Sequence, residues 1–245
     1  MRLDEILNCV VGADCSILAD IGTDHAQIPI EAIKRKLAKK AIACDIAPGP
    51  LEKGKRNVVN EGLSKFIELR LGDGLSPILQ NEADVVVIAG MGGMRILKII
   101  AYGLYKICNA NLILQPQHDT SKLRRGLYDL GVKIHSEHLA KEGERFYEIL
   151  CAKKICNMNR KHSESGTCSN GHDAPLRPEK NSDVPTEKDF FLGSYKGDFA
   201  SQFYLQKKQK IEKYIHHISD ENEKKQAHKQ LAWLNKALAE GIDFP

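Results

Sequence analysis

Short apolar runs alternate with helix-like segments between Ser16 and Lys154. Each run is nearly continuous in apolar residues, which is typical of a strand that is covered on both faces. Pro29 and Pro50 fall where the first turns of two intervening helices would lie, a position that tolerates a missing N–H. The pattern predicts an α/β fold with a doubly wound, mainly parallel sheet and helices on both faces. The strand candidates are Ser16–Asp20, Lys40–Asp45, Ile67–Leu71, Asp84–Ala89 and Asn111–Leu114.

The alternation ends with two strand-like runs that no helix separates. The runs VKIHSEHLA and RFYEILCAK are joined only by KEGE, a glycine-containing connection that is too short for a crossover helix. We therefore expect an antiparallel hairpin at the end of the sheet. The plain dinucleotide-binding sheet continues with crossovers instead.

The composition changes twice after this hairpin. From Cys156 to about Thr186 the chain is rich in Ser, Asn, Gly and Pro and poor in large apolar residues, which is typical of a flexible insertion. Apolar residues at helical spacing return after Phe190, and Asp220 with Glu223 resembles a capping box that opens a second helix. The apolar stripes of the two helices consist of Phe199, Phe203, Ile211, Ile215 and Ile218, and of Leu231, Leu234 and Leu238.

We therefore divide the chain into three parts: a main domain in residues 1–155, a polar insertion in 156–188, and a helical, coiled-coil-like domain in 189–245. The 36 basic and 32 acidic side chains give a net charge of only +4, which neither requires nor excludes a nucleic-acid partner. No apolar stretch approaches the roughly 20 residues of a membrane helix.

Seven scattered cysteines, an odd number, favour a reduced, cytoplasmic setting over a disulfide framework. Four residues of the polar segment, Cys156, His162, Cys168 and His172, invite a zinc interpretation. Their spacing fits no finger pattern, so we expect a polar loop and no metal site.

Polar residues and glycines follow the predicted strands where a doubly wound sheet binds ligands. Each acid alone could be a helix cap, and each glycine could mark a turn. Together, they indicate a nucleoside site: Asp45 could accept hydrogen bonds from both ribose hydroxyls, and Asp73 could accept one from an exocyclic amine. The expected ligand-binding residues are Asp20, Gly22, Asp45, Ile46, Asp73, Gly74, Gly90, Met91 and Gly92, with Gln115 and Pro116 on the rim where a second substrate would bind.

The glycine fingerprint GxGxxG is missing after the first strand, and no GxxxxGK[ST] occurs in the chain. Diphosphate cofactors and ATP therefore lose support. An adenosine ligand without phosphates, in a sheet that ends in a hairpin, points to S-adenosylmethionine.

The segments ADIGTDHAQIPI, ACDIAPGPLEKGKRNV, LRLGDGL, IAGMGG, LILQP and FYEIL resemble those of the bacterial tRNA (adenine(22)-N1)-methyltransferases. The resemblance runs through most of residues 1–154 and resumes more loosely after Phe190. It implies a class I methyltransferase domain with a Rossmann-like sheet of seven strands, the last antiparallel. It also implies a C-terminal helical domain and tRNA as the substrate. The polar stretch Cys156–Thr186 is longer than the resemblance leads us to expect.

For the reaction, Asp24 is our candidate for stabilising the charged ring of methylated adenine or accepting its proton, with His25 as its orienter or relay. Asp24 as a helix cap is the structural alternative. Arg124, Arg125, Lys207 and Lys208 are candidates for holding the tRNA backbone, although a solvated, salt-bridged helix face explains such residues equally well.

Three other functions remain open from the residues. One is a methyltransferase that acts on another RNA, a protein or a small molecule. A nicotinamide oxidoreductase is disfavoured by the missing fingerprint. A non-catalytic RNA-binding adaptor would have no need of the three acids at the strand ends. The oligomeric state is not fixed by the sequence, although a monomer is compatible with it.

Overall fold

The computed structural model describes residues 1–11, 15–154, 184–196 and 198–239. The strands are β1 Ile17–Ile21, β2 Lys40–Asp45, β3 Ile67–Leu71, β4 Val85–Met91, β5 Asn111–Pro116, β6 Val132–Glu142 and β7 Arg145–Lys154. The helices are α1 Arg2–Val11, α2 Gln27–Lys34, α3 Pro48–Asn60, α4 Gly93–Gly103, α5 Thr120–Asp129, α6 Glu187–Leu192, α7 Asp198–Tyr214 and α8 Glu221–Ala239. The predicted insertion 156–188 lies almost entirely outside the described residues.

The strands form one sheet in the order β3-β2-β1-β4-β5-β7-β6. Neighbours from β3 to β5 pair in parallel, whereas β7 is antiparallel to both β5 and β6. The predicted doubly wound sheet with a terminal hairpin is therefore confirmed. The chain reverses its direction of winding between β1 and β4, which opens a ligand cleft beyond the carboxyl ends of these strands.

The observed strand bounds differ from the predicted ones mainly at the ligand edge. β4 continues to Met91, which pairs with Pro116 of β5 after a register shift between Ala89 and Met91. The sequence prediction ended both strands where the apolar run stops, but the backbone pairing continues past that point through Gly90. The irregularity brings the glycine turn up to the rim of the sheet.

A separate apolar layer covers each face of the sheet. Helices α4 and α5 pack on one face through residues such as Ile96, Ile100 and Leu123. Helices α1 to α3 cover the opposite face, with Leu7 and Val58 among the buried residues. Both faces of the central strands are buried, which explains their unbroken apolar sequence.

The C-terminal helices enclose a third apolar cluster that extends onto the β6–β7 hairpin through Leu139 and Phe146. Phe203 and Ile211 of α7 are buried as predicted, whereas Phe199 is largely exposed. The predicted start of the next helix is correct, since the Asp220 carboxylate accepts a hydrogen bond of 2.8 Å from the Glu223 N–H. Within the described ranges, no helix is long and apolar enough to cross a membrane.

Candidate active site

A cavity of about 260 Å³ lies at the carboxyl ends of β1 to β4. Six of the nine residues that we predicted for a ligand contribute to its wall, so distant parts of the chain meet there. Asp20, Gly90 and Gly92 are beside the cavity and do not line it. The lining residues are Ile21, Gly22, Asp45, Ile46, Gly72, Asp73, Gly74, Met91, Arg95 and Ile99.

Two carboxylates on neighbouring strands interact at this edge. Asp20 is the next-to-last residue of β1 and is only 4% exposed, whereas Asp45 ends β2 at the cavity wall. Burial raises the pKa of Asp20 to about 7, the charge of Asp45 acts in the same direction, and the nearby Thr23 hydroxyl opposes them. The N–H of Ala47 donates to the Asp45 Oδ1 over 2.8 Å and orients this carboxylate at the start of α3.

Gly22 turns the chain sharply where β1 ends. Its φ of 77° lies in the left-handed region that favours glycine, and the N–H groups of Gly22 and Thr23 both donate to the Cys44 carbonyl over 2.8 Å. A Cβ at Gly22 would collide with the terminal methyl of Met91. The Met91 side chain therefore packs directly against this turn and closes one side of the cavity.

His118 covers the glycine turn after β4 and was missed by the sequence analysis. A Cβ on Gly92 would lie 2.6 Å from the His118 Cε1, and the His118 Nδ1 is 2.7 Å from the Asp119 Oδ2. Hydrogen bonds from Lys122 and His118 lower the pKa of Asp119. The sequence does carry a signal for this pair, because His118 and Asp119 directly follow the strand-end sequence LQPQ.

Asp24 and His25 form a second histidine–aspartate pair, at the surface. The Asp24 side chain is 79% exposed, and its Oδ1 lies 3.1 Å from the His25 Nε2. Asp24 does not cap the next helix: the N-cap of α2 is Ala26, which has no side-chain cap. The helix-cap alternative is therefore wrong. The Asn57 amide donates to the His25 carbonyl over 2.9 Å and holds this turn against α3.

Gln115 and Pro116 were predicted to lie on the exposed rim of the sheet, but the structure buries both. The Gln115 amide nitrogen donates to the Pro116 carbonyl over 2.8 Å. The Gln115 Oε1 is buried without a hydrogen-bond partner among the described residues. The exposed residues that follow them are Gln117 and His118. Contact of Gln115 and Pro116 with a substrate stays a prediction.

Arg124 is only 3% exposed, so its predicted contact with the tRNA backbone is wrong. Its guanidinium contacts Glu137 at 2.6 Å and Glu148 at 2.9 Å, and donates to the Phe190 carbonyl at 3.0 Å and to the Tyr195 hydroxyl. Burial would lower the pKa of Arg124, but the surrounding negative charges more than offset it and raise the pKa. These partners are 13 to 71 residues away in the chain, so helical spacing alone suggested an exposed arginine.

Lys207 is also turned inward, which makes its predicted tRNA contact wrong. Its ammonium donates to the Phe191 carbonyl over 2.8 Å and lies 4.5 and 5.0 Å from the ring centroids of Phe191 and Phe203. Burial lowers the pKa of Lys207 to about 8. Arg125 has a half-exposed side chain and Lys208 a partly exposed one, and each pairs loosely with an acid one turn away, so both stay candidates.

A larger groove of about 690 Å³ runs along the edge strand β3 and α3. Three of its charged groups pair with one another, since Arg70 contacts Glu68 at 2.8 Å and Glu82 at 2.7 Å. The smaller cavity is the better candidate because it lies at the switch point of the sheet and is lined by acids without a salt-bridge partner among its lining residues.

A doubly wound sheet that ends in an antiparallel hairpin, with acids around a cavity at its switch point, defines a methyltransferase-type domain. A family model described as a methyltransferase domain matches residues 1–150. The chain belongs to this family.

Individual relatives show which methyltransferases the chain resembles. The chain is 40% identical over 139 residues to the tRNA (adenine(22)-N(1))-methyltransferase of Bacillus subtilis, and the alignment covers 56% of this chain and 58% of the relative. The chain thus spans less than two thirds of that relative in the alignment. The solved structure of the B. subtilis m1A22 tRNA methyltransferase matches with 29% identity and a TM-score of 0.71, over 99% of this chain and 97% of the other.

A candidate tRNA (m1A22) methyltransferase of Streptococcus pneumoniae, solved in complex with S-adenosyl-L-methionine, has a TM-score of 0.76 at 28% identity. This match covers 97% of the present chain and 98% of the S. pneumoniae chain. It includes the C-terminal helices, which lie outside the family model. The resemblance that the sequence motifs predicted is confirmed.

Proposed function

We propose that this protein is an S-adenosylmethionine-dependent methyltransferase that modifies N1 of adenine 22 in tRNA. The proposal rests mainly on the observation that Asp45 and Asp73 line the same cavity. The chain also matches the S. pneumoniae complex over almost its full length. The cytoplasm is the expected location, in keeping with the five cysteines of the described residues, none of which forms a disulfide.

The donors around the cavity suit this cofactor. We assign Asp45 to the ribose hydroxyls and Asp73, between two glycines, to the adenine amine. Among the described residues of the cavity wall, Arg95 alone carries a positive charge, which suits the carboxylate of the methionine moiety. Gly22, Ile46, Gly74 and Met91 supply apolar or bare backbone surface for the remainder.

When bound, S-adenosylmethionine supplies an electrophilic methyl group. Adenine N1 carries a lone pair in the ring plane, so the residues of this chain need not remove a proton before transfer. Their main task is to align N1 with the methyl group, and the turn at Gly90, where a Cβ would meet nothing closer than 3.9 Å, leaves the backbone bare beside the cavity for this approach. The base must first leave its stack in the tRNA, at a cost of a few kcal/mol.

Methylation leaves positive charge on the adenine ring. Asp24, which is exposed and paired with His25, is our candidate for stabilising this charge, with His25 holding its orientation. His118 and Asp119, beside the glycine turn at Gly92, are a second candidate pair.

The tRNA backbone is assigned to Arg125, Lys208 and the exposed lysines of the C-terminal helices, such as Lys213 and Lys225. Contacts of this kind release counterions from the RNA. The tRNA affinity should therefore fall steeply as salt is raised, and the fall should be shallower in a Lys213→Ala, Lys225→Ala variant.

The decisive experiment is nucleotide-resolved mapping of an unmodified tRNA after incubation with the purified protein and labelled S-adenosylmethionine. We expect one methyl group at N1 of A22 and none in a transcript with G22. Label at another nucleotide, or on a protein or small molecule, would favour a methyltransferase of different specificity. Calorimetry that detects tRNA binding but no S-adenosylmethionine binding would instead favour an RNA-binding adaptor.

A further inference from the structure

Two thiols and an imidazole converge outside the candidate active site. The donor atoms of Cys9, His138 and Cys151 all lie within 4.8 Å of one another. Cys9 is on α1, His138 on β6 and Cys151 on β7. The ligand cavity is lined by none of these residues.

The fold explains why three such distant residues meet. Side chains alternate along β7, so Ile149 and Cys151 face the layer that contains α1, whereas Leu150 faces the opposite layer. A register shift between Ile134 and Ser136 places Ser136 opposite Cys151, and His138 follows two residues later on the same side. The three residues are far apart in the sequence and form no metal-binding motif of fixed spacing, so the sequence alone does not indicate this site.

A carboxylate lies next to the imidazole of this group. Glu5 lies one helical turn before Cys9, and its Oε1 is 3.1 Å from the His138 Nδ1. The other ring nitrogen of His138 is 3.3 Å from the Ser136 hydroxyl. Cys151 is buried, while Cys9 and His138 are only partly buried, which leaves a path for an ion from solvent.

We propose that Cys9, His138 and Cys151 bind a zinc ion, with a water as the fourth ligand and Glu5 as the group that orients His138. Two thiolates with one imidazole and an oxygen are a zinc donor set, and tetrahedral zinc holds such atoms roughly 3.5 Å apart. Because the donor atoms all lie within 4.8 Å of one another, the contraction needed is at most about 1 Å, within reach of side-chain rotation. A disulfide would use only the two sulfurs and would leave the position of His138 and Glu5 without a role.

The ion would have a structural function. It would fasten α1 to the β6–β7 hairpin, and the other face of this hairpin holds Arg124 through Glu137 and Glu148. Metal bound here would therefore stabilise the surface on which the C-terminal helices pack.

The test uses the full-length chain with Cys156→Ser and Cys168→Ser, so that the cysteines of the polar segment contribute nothing. We expect one zinc per chain by elemental analysis after reconstitution and removal of loose metal. The cobalt-substituted protein should show the intense near-ultraviolet charge-transfer band of thiolate ligation. Cys9→Ser and Cys151→Ser should each weaken the band by about half when loaded with cobalt and bind zinc at least about tenfold more weakly, and Glu5→Gln should weaken zinc binding by about 10- to 100-fold. Cys44→Ala, a buried cysteine of β2, is the matched control and should keep full binding.

A second measurement needs no substitution at the proposed zinc site. In the Cys156→Ser, Cys168→Ser protein, bound zinc should slow alkylation of Cys9 and Cys151, detected by peptide mass spectrometry, and should leave the alkylation rate of Cys44 unchanged. A cobalt spectrum without thiolate bands, unchanged zinc affinity in Cys151→Ser, or a Cys9–Cys151 disulfide in protein purified under reducing conditions would each overturn the proposal.

Discussion

The guanidinium of Arg124 lies 2.9 Å from the carboxylate of Glu148, in the interior between the sheet and the C-terminal helices. The same guanidinium contacts Glu137 and donates to the Phe190 carbonyl, so one side chain joins α5, the hairpin and α6. Burial would raise the pKa of Glu148, but Lys207 and Arg124 lower it to about 2, which keeps this carboxylate charged at neutral pH.

Arg124→Ala is therefore expected to destabilise the protein by about 3–5 kcal/mol, because it removes the cation that Glu137 and Glu148 share in the interior. Urea denaturation followed by circular dichroism measures this loss. Arg125→Ala, at the next position of the same helix, removes a half-exposed arginine and should change the stability by no more than about 0.5 kcal/mol. Equal effects of the two substitutions would contradict the network that we describe.

Asp20 gives the second prediction, a specific pH dependence of stability. Its pKa rises from 3.8 in the unfolded chain to about 7 in the fold. The unfolded chain therefore loses this proton first, and the stability falls as the pH rises from about 4 to about 7. Asp20→Asn carries no charge to bury and should become more stable than the wild type across this window, by up to about 4 kcal/mol at pH 8.

Thermal melts of both proteins at pH 4, 6 and 8 measure the effect. The difference in melting temperature should be smallest at pH 4 and largest at pH 8. A constant difference in melting temperature across the series would show that Asp20 is ionised in the fold at every pH tested. Burial would then not raise the pKa of Asp20.

Asp45 carries the third prediction, which concerns cofactor binding. If its carboxylate accepts both ribose hydroxyls, Asp45→Ala should weaken S-adenosylmethionine binding by about 10- to 100-fold, since hydrogen bonds to a charged group contribute about 1.5–3 kcal/mol. Calorimetry gives the affinity, and a thermal melt of the free protein shows that the fold persists. Asp129→Ala removes an exposed acid at the end of α5 and is the control. Unaltered affinity in Asp45→Ala would reject the ribose assignment.

Much of the fold can be predicted because the relevant signals are local. The buried strands are visible as apolar runs, and the hairpin follows from a connection of four residues. The acids at and beside the cavity are visible for the same reason: Asp20, Asp45 and Asp73 each stand near the end of a strand, and parallel strands bring their ends to one edge.

Contacts between distant segments could not be predicted in this way. Arg124 and Lys207 have the spacing of exposed helix residues, but backbone carbonyls of Phe190 and Phe191 and buried acids bring them inward. Their burial depends on how α6 and α7 pack on α5 and the hairpin, and no local pattern encodes that packing.

The last prediction separates the two histidine–aspartate pairs at the rim. Neither Asp24 nor His118 lines the cavity, so Asp24→Ala and His118→Ala should leave the affinity for S-adenosylmethionine unchanged. If Asp24 stabilises the charged adenine ring, Asp24→Ala should lower kcat by at least about tenfold, because the lost interaction is made only as charge develops.

His118 covers the turn at Gly92, where the base would approach, so His118→Ala should mainly raise the KM for tRNA. Single-turnover rates with saturating tRNA distinguish the two effects. Unchanged turnover in Asp24→Ala together with a large loss of kcat in His118→Ala would show that the His118–Asp119 pair stabilises the charged adenine ring. Lys122 already lowers the pKa of Asp119 and so keeps that carboxylate charged.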